Sequence, residues 1–315
     1  MSVEFPAKKS AYQQAADSLI AQLEAGTVPW RKPWTSAGMP RNLVSQKEYR
    51  GINVFLLAMQ NRVSPYWLTF NQANKLGGSI MKGEKGTCIT VFKPQPRFKK
   101  NAEGNEERKW GGYFGSAVVF NLMQCNPELA EKLGLNKPAA PIEDLPAAEA
   151  IWANYTNRPA YHDADKAFYR PSTDSIHMPL RTAFKEQREF YSTLFHEMVH
   201  STGAVKRLNR DGIAKLDTFG SEQYSAEELI AEFGSAMLCA VAGIQPTVVE
   251  NQAAYIKTWL QRLKGGDNSK LLIQAISAAQ KACDYIRVEV KHEEVSTTVD
   301  DSGSLGQPIQ KAEVA

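Results

Sequence analysis

Residues 196–200 read His196-Glu197-Met198-Val199-His200, a pattern whose side chains can bind a metal ion. On a helix, residues four apart lie on one face, so the imidazoles of His196 and His200 can bind the same ion. Glu197 lies beside them, where its carboxylate can take a proton from a water activated by the metal. The pattern predicts a zinc hydrolase site, with one Zn²⁺ per chain and Glu197 as general base.

The residues on either side of this pattern indicate a buried helix. Phe190, Tyr191, Leu194 and Phe195 are apolar, and Gly203 predicts the end of the helix. The alternative is a core helix whose two histidines are only hydrogen-bonded. That alternative is energetically costly, because two imidazoles flanking a carboxylate must be paired when they are buried.

The third metal ligand is less clear, because two histidines leave a zinc site without its third protein ligand and its open position for water. The segment from Glu227 to Glu232 offers three glutamates on a second predicted helix. Ser225 and Glu228 also fit a capping box, with Ser225 as N-cap. Either Glu228 or Glu232 can bind the metal while the other orients a ligand histidine. Glu227 points about 100° away and is the weakest candidate.

A second α+β unit over residues 148–290 is predicted to position these groups. Residues 167–179, which precede the metal-binding helix, read as a hairpin or as a strand with a turn, and this strand could pair with a peptide substrate by β-addition. The helix that contains Glu228 is expected to run to about Val241. Two further helices are predicted, over about 250–263 and 268–287.

The first 125 residues predict another α+β module, so the predicted fold class is α+β with two domains. Residues 94–112 are polar and are expected to form a mobile hairpin or loop. The proline-rich stretch 126–147 is the best candidate for a linker, and the charged segment 291–315 is expected to be disordered. The predicted elements of the module are helices over 10–25 and 52–61 and strands over 67–70, 88–92 and 113–122.

Composition places the chain in the globular class, with 43% apolar and 23% charged residues among 315. No stretch of about 18 apolar residues occurs, so no membrane span is expected. The first nine residues lack the apolar core of a signal peptide. The cysteines at 88, 125, 239 and 283 form no close pair. We therefore expect a reduced, cytoplasmic protein rather than a secreted zinc protease.

Charge is divided unevenly between the two halves. Residues 1–125 hold 17 Lys/Arg and 8 Asp/Glu, whereas residues 126–315 hold 20 and 26. The basic half also has 15 of the 30 aromatic residues, and several of them lie beside cations. Proteins that bind single strands combine a cationic groove with aromatic faces for stacking. The alternative is that these aromatics form a core and the cations are only solvated.

Several motifs in both halves resemble one known family. Residues 49–53, 67–73 and 82–86 of the basic half resemble the single-stranded-DNA-binding domain of ArdC-type antirestriction proteins, which also occurs in TraC-type plasmid primases. The tryptophan segment 29–34, Gly77-Gly78 and residues 119–121 continue this likeness. Residues 191–200 and 224–232 are similar to the metallopeptidase domain attached to it. The resemblance covers about residues 10–287 and implies an α+β protein of a mobile element.

The resemblance implies that the protein binds incoming single-stranded DNA without sequence preference and protects it from host restriction during conjugation. Related zincin-like regulators of the ImmA/IrrE type have their third zinc ligand at the position of Glu228. This implies Glu228 as ligand and Glu232 as the residue that orients a histidine. The predicted DNA contacts are Trp30, Arg31, Lys32, Trp34, Tyr49, Arg50, Asn53, Trp67, Lys75, Lys82 and Lys85.

Two other functions remain compatible with these residues. One is a module that binds DNA and protein and whose zinc site is structural or vestigial. The other is a protease tethered to DNA that cleaves DNA-bound proteins, with a peptide or protein as substrate.

Overall fold

The computed structural model describes residues 11–24, 38–100, 106–135, 145–155, 160–214, 222–244 and 268–287. Mixed helices and strands in both halves confirm the α+β class. The helices are α1 Ala11–Glu24, α2 Ile52–Ala58, α3 Phe70–Lys75, α4 Pro127–Lys132, α5 Leu145–Asn154, α6 Gln187–Ser201, α7 Asp211–Ala214, α8 Glu222–Val241 and α9 Asn268–Ile286. The strands are β1 Arg41–Asn42, β2 Tyr66–Leu68, β3 Thr87–Lys100, β4 Glu106–Asn121, β5 Ala160–Asp163, β6 Phe168–Arg170 and β7 Ser175–Met178.

The first sheet has the order β1-β2-β4-β3, so that β3 is an edge strand. Asn53 of α2 covers this edge. Its side-chain oxygen accepts from the backbone N–H of Thr90 at 2.8 Å, and its amide nitrogen donates to the Thr90 carbonyl at 2.7 Å. These two bonds replace the partner strand that the edge lacks, and they bind α2 to the sheet.

Strands β3 and β4 form one long hairpin, paired from Thr87 with Val119 to Lys100 with Glu106. Of the predicted mobile hairpin or loop over 94–112, the structure shows a hairpin, with residues 94–100 and 106–112 paired in its strands. The length of the strands was not predicted, because this part of the sequence shows no alternation of apolar and polar residues. The predicted strand over 67–70 also ends early, since Thr69 caps α3 in a capping box with Gln72.

The second sheet has the order β5-β7-β6 and packs against α6. Strands β6 and β7 form the hairpin that was predicted over 167–179. Ile176 and Met178 of β7 are buried, and they join the largest hydrophobic cluster together with Phe195 of α6 and Phe233 of α8. Helix α6 thus lies between this sheet and α8.

This largest cluster extends across the predicted domain boundary. Leu19 of α1 and Phe55 of α2 belong to it, and the ring of Phe55 lies 4.8 Å from that of Phe233. Polar contacts follow the same junction, because Gln280 of α9 accepts a 2.9 Å bond from the backbone N–H of Gly51. The two sheets are separate, but the helices between them share one core.

The predicted linker 126–147 includes helix α4 and the beginning of α5. Three predicted segments lie outside the described residues: residues 136–144 of this linker, the helix over 250–263 and the tail 291–315. Among the described helices, none combines the length and the apolar composition needed to cross a bilayer.

A partly buried ion pair connects the second sheet to the segment that follows α6. Asp174, in the β6–β7 turn with a φ of 46°, pairs with Arg207 and with Lys206. Burial opposes ionisation of Asp174, but its bonds to Arg207 and Lys206 hold the pKa of its carboxyl well below the usual value. The stabilisation is therefore present above about pH 4 and is lost as the pH falls through the folded-state pKa.

Replacing Asp174 with asparagine should lower the free energy of unfolding by about 3 kcal/mol at neutral pH, because the Arg207 side chain, 2% exposed, loses its counter-charge. Asparagine tolerates positive φ as aspartate does, so the change tests the charge. Urea denaturation measures the effect. Lys206→Ala is the control, since that side chain is 67% exposed and its loss should cost under about 1 kcal/mol. Equal losses for the two variants would contradict the assignment.

Candidate metal centre

Helix α6 brings the two histidines of the sequence pattern together. The apolar residues around them are buried, and Glu197 and His200 are themselves only 7% and 8% exposed. The Nε2 atoms of His196 and His200 face each other at 3.1 Å. Two neutral imidazoles can share this contact only if one donates a proton to the other, whereas a metal ion accepts a lone pair from both.

Helix α8 supplies a carboxylate to the same point. Glu228 Oε2 lies 3.5 Å from His196 Nε2, and Glu228 Oε1 lies 3.6 Å from His200 Nε2. Ligands about 2.0–2.1 Å from a tetrahedral zinc ion are about 3.3 Å apart, close to these separations. The ligand atoms of His196, His200 and Glu228 all lie within 4.8 Å of one another, so this donor set fits a divalent metal ion.

The capping box that competed with this role for Glu228 is absent. Helix α8 begins at Glu222, so Ser225 lies inside the helix rather than at its N-cap. Glu228 is consequently in the second turn, away from the unpaired N–H groups that a capping residue would bind.

Glu232 lies one turn further along α8 and faces the other nitrogen of His196. Its Oε1 is 3.7 Å from His196 Nδ1, which is buried and has no hydrogen-bond partner. Burial opposes protonation of this imidazole, but the carboxylates of Glu228, Glu232 and Glu197 outweigh burial and raise the pKa of His196 to about 9. A site that concentrates this much negative charge around one imidazole is suited to a cation.

Glu227 has a position that the sequence analysis did not predict. Its Oε1 lies 3.3 Å from His200 Nδ1, the ring nitrogen opposite the one that faces Glu228. Arg210 donates from Nε to Glu227 Oε2 at 2.9 Å and from a terminal nitrogen to the Val199 carbonyl at 2.7 Å. Burial opposes ionisation of Glu227, yet Arg210 and His200 lower the pKa of this carboxyl. Glu227 points about 100° away from Glu228 around the helix axis, which made it the weakest ligand candidate. The same offset directs its carboxylate to Nδ1 of His200.

Replacing Glu227 with glutamine should weaken metal binding by about 10- to 100-fold, as expected when a carboxylate that orients a ligand histidine is lost. The change keeps the shape of the side chain but removes the charge that pairs with Arg210. Competition with a chromophoric chelator measures the metal affinity, and a melting curve of the metal-free protein checks the fold. Unchanged affinity with a lowered melting temperature would assign Glu227 to stability alone.

The predicted DNA contacts are scattered among different environments. Trp30, Arg31, Lys32 and Trp34 lie outside the described residues. Lys75, Lys82 and Lys85 are exposed, as a phosphate-binding surface requires. Trp67 is only 2% exposed and Asn53 holds the edge of β3, so neither side chain is open to a base. Tyr49 is half-buried and packs against a small hydrophobic cluster that consists of Leu57, Trp67, Ile89 and Val119. Arg50 forms an ion pair with Asp284 of α9.

The two halves of the chain match two different family models. A model described as the N-terminal domain of anti-restriction factor ArdC matches residues 9–120. A model described as a zincin-like metallopeptidase matches residues 146–279. The order of the two matches is the order that the sequence motifs predicted.

Relatives and solved structures agree with these matches. A DNA primase TraC of Escherichia coli is 35% identical over an alignment of 302 residues, which covers 89% of this chain but only 27% of the primase. The crystal structure of the metal-free antirestriction protein ArdC from plasmid R388 is 36% identical, with a TM-score of 0.69 and coverage of 88% of this chain and 96% of that one. A Mn(II)-bound structure of the same protein is 35% identical, with a TM-score of 0.66 and the same coverage.

Proposed function

The chain belongs to the ArdC antirestriction family, and from this premise we propose that it binds incoming single-stranded DNA and protects it from host restriction during conjugation. The observation that supports this most strongly is the match to one antirestriction protein over 96% of that protein, with both halves in order. The attached metal centre is proposed to be a zinc peptidase. The chain spans about a quarter of the TraC primase, so the activities of the whole primase are not carried over.

DNA binding is assigned to the basic half. Lys75, Lys82 and Lys85 are exposed, and residues 1–125 have a charge excess of nine cations over acids, 17 against 8. These cations can neutralise phosphates whatever the sequence, because phosphate contacts carry no information about the bases. Binding that depends on such contacts falls steeply with salt as counterions are released.

Fluorescence anisotropy with the full chain tests this proposal. Labelled single-stranded and double-stranded oligonucleotides of the same sequence are titrated at two salt concentrations. We expect tighter binding to the single strand, and a logarithm of affinity that falls by about 0.7 per phosphate contact for each unit of log salt. No binding, or equal and salt-independent binding to both forms, would overturn the proposal. The full chain is used because α1 and α2 share a core with α9.

The metal-binding half is proposed to hydrolyse a peptide bond. A divalent metal ion would be held by His196, His200 and Glu228. It would act as a Lewis acid and lower the pKa of a bound water. Glu197 follows His196 on the same helix. It would take the proton from the attacking water and later give it to the leaving amine. Strand β7 is central in its sheet, so an extended peptide would have to pair with β6 or β5 at an edge.

A second candidate is a metal site that is structural rather than catalytic. The observation in its favour is that the ligands come from α6 and α8, two helices that both contribute to the largest core. A metal held between them would stabilise the fold without cleaving anything. A third possibility, a DNA-tethered protease, predicts that single strands stimulate cleavage.

A further inference from the structure

The β3–β4 hairpin extends past the hydrophobic core, and we name residues 92–100 and 106–114 the distal ribbon. Ile89 and Val119 are buried, and Val91 packs against the same cluster. From residue 92 to residue 96 every side chain is exposed, and Tyr113 is 48% exposed. Burial in a core therefore does not account for Phe92 and Tyr113.

Phe92 lies flat on one face of the ribbon. The register pairs it with Phe114, so Gly112 is its diagonal neighbour on the same face. A Cβ on Gly112 would lie 2.4 Å from Cζ of Phe92 and 2.6 Å from the Lys93 carbonyl oxygen. Only glycine leaves room for the ring at this point. The ring covers the backbone and stays 53% exposed, which leaves an aromatic surface open to solvent.

The other face combines an aromatic ring with a cation. Lys93 is paired with Tyr113 in the register, and its ammonium lies 5.9 Å from the centroid of the Tyr113 ring. The stem of Lys93 crosses Gly115, where a Cβ would be 3.1 Å from Lys93 Cε. A second glycine thus lets a long side chain lie along the strands, with its charge beside an exposed ring.

The charges of the distal ribbon point to a polyanion. Residues 93–100 contain four Lys/Arg and residues 106–113 contain two, against two glutamates in all. This excess of cations favours a polyanionic ligand.

We propose that the distal ribbon binds single-stranded DNA by base stacking on both of its faces, with Phe92 as the stacking platform of one face, Tyr113 as that of the other, and Lys93 beside Tyr113 as a phosphate contact. The inference rests on the proposed DNA binding and adds its location. Exposed rings beside cations suit a single strand, whose bases are free to stack. A duplex keeps its bases stacked internally and offers only phosphates to the ribbon.

The test is an anisotropy titration of the full chain with a fluorescein-labelled oligothymidylate. Phe92→Leu keeps an apolar side chain but removes the aromatic face, and we expect binding about tenfold weaker. Lys93→Ala should flatten the slope of log affinity against log salt by about 0.7. Circular dichroism of each variant checks the fold.

Phe70→Ala and Lys281→Ala are the matched controls. Phe70 is 54% exposed but lies on α3, and Lys281 is an exposed cation of α9, so neither change should weaken binding. If the wild type binds and Phe92→Leu binds equally well, the ribbon is not the stacking surface, although DNA binding stands. Equal losses for Phe70→Ala and Phe92→Leu would also overturn the assignment. If the wild type itself does not bind, both proposals fail.

Discussion

Glu197→Gln should lower peptide hydrolysis by about 10²- to 10⁴-fold, the usual contribution of a general acid–base residue. Glutamine has nearly the shape of glutamate but cannot accept the proton of the attacking water at neutral pH. Glu197 is 7% exposed and is not one of the three clustered ligand residues, so metal binding and folding should persist. Hydrolysis of a fluorogenic casein by the metal-loaded protein, with and without single-stranded DNA, measures the effect.

Controls separate chemistry from folding in this experiment. Glu131→Gln removes an exposed carboxylate on α4 and should leave hydrolysis unchanged. The metal content of Glu197→Gln should remain one ion per chain. If that variant hydrolyses casein at the wild-type rate, the activity does not belong to this site. A wild type that binds metal but cleaves nothing, with or without DNA, would favour the structural metal site.

The same substitution decides whether peptidase chemistry is needed for antirestriction. Plasmid transfer into a restricting host can be compared for the wild type and Glu197→Gln. Equal protection would mean that DNA binding, or binding of a protein, is sufficient.

Glu228→Ala should weaken metal binding about a thousandfold, whereas Glu232→Ala should weaken it only about 10- to 100-fold. A zinc site with four ligands contributes about 10–16 kcal/mol, so the loss of one ligand costs about 3–4 kcal/mol. Glu228 lies 3.5 and 3.6 Å from the Nε2 atoms of the two histidines. Glu232 instead faces Nδ1 of His196 at 3.7 Å, where a carboxylate orients the imidazole.

Chelator competition with Zn²⁺ and with Mn²⁺ measures this difference, and the two truncations are matched because both remove a glutamate from the same helix. The choice of metals matters because the solved relative holds Mn(II). A larger loss for Glu232→Ala than for Glu228→Ala would reverse the two roles. His196→Ala serves as the reference for a lost ligand.

Local patterns were sufficient to predict the helix with the two histidines and the hairpin before it. Apolar spacing, turn residues and the interval of four residues are short-range properties, and helix α6 and strands β6 and β7 follow them. The same reasoning predicted a hairpin or loop over 94–112 but not the length of its strands, because the sequence there shows no hydrophobic alternation.

The residues that support the site could not be predicted in this way, because they reach it through contacts between different segments of the chain. Arg210 reaches Glu227 and the Val199 carbonyl after a turn beyond α6, and no periodicity in the sequence links these positions. The motif at 49–53 is another case. In the structure Arg50 pairs with Asp284 and Gly51 bonds to Gln280, so these two residues join the two halves, whereas Asn53 holds β3 within the first half.

Helical spacing was enough to identify the side chains that could bind a metal, namely His196, His200 and a glutamate of α8. What each glutamate faces depends instead on how the two helices pack. The approach of α8 to α6 directs Glu228 to the Nε2 atoms, Glu232 to His196 Nδ1 and Glu227 to His200 Nδ1. Helix packing sets the distance and rotation between two helices, and neither is encoded by the spacing within one helix.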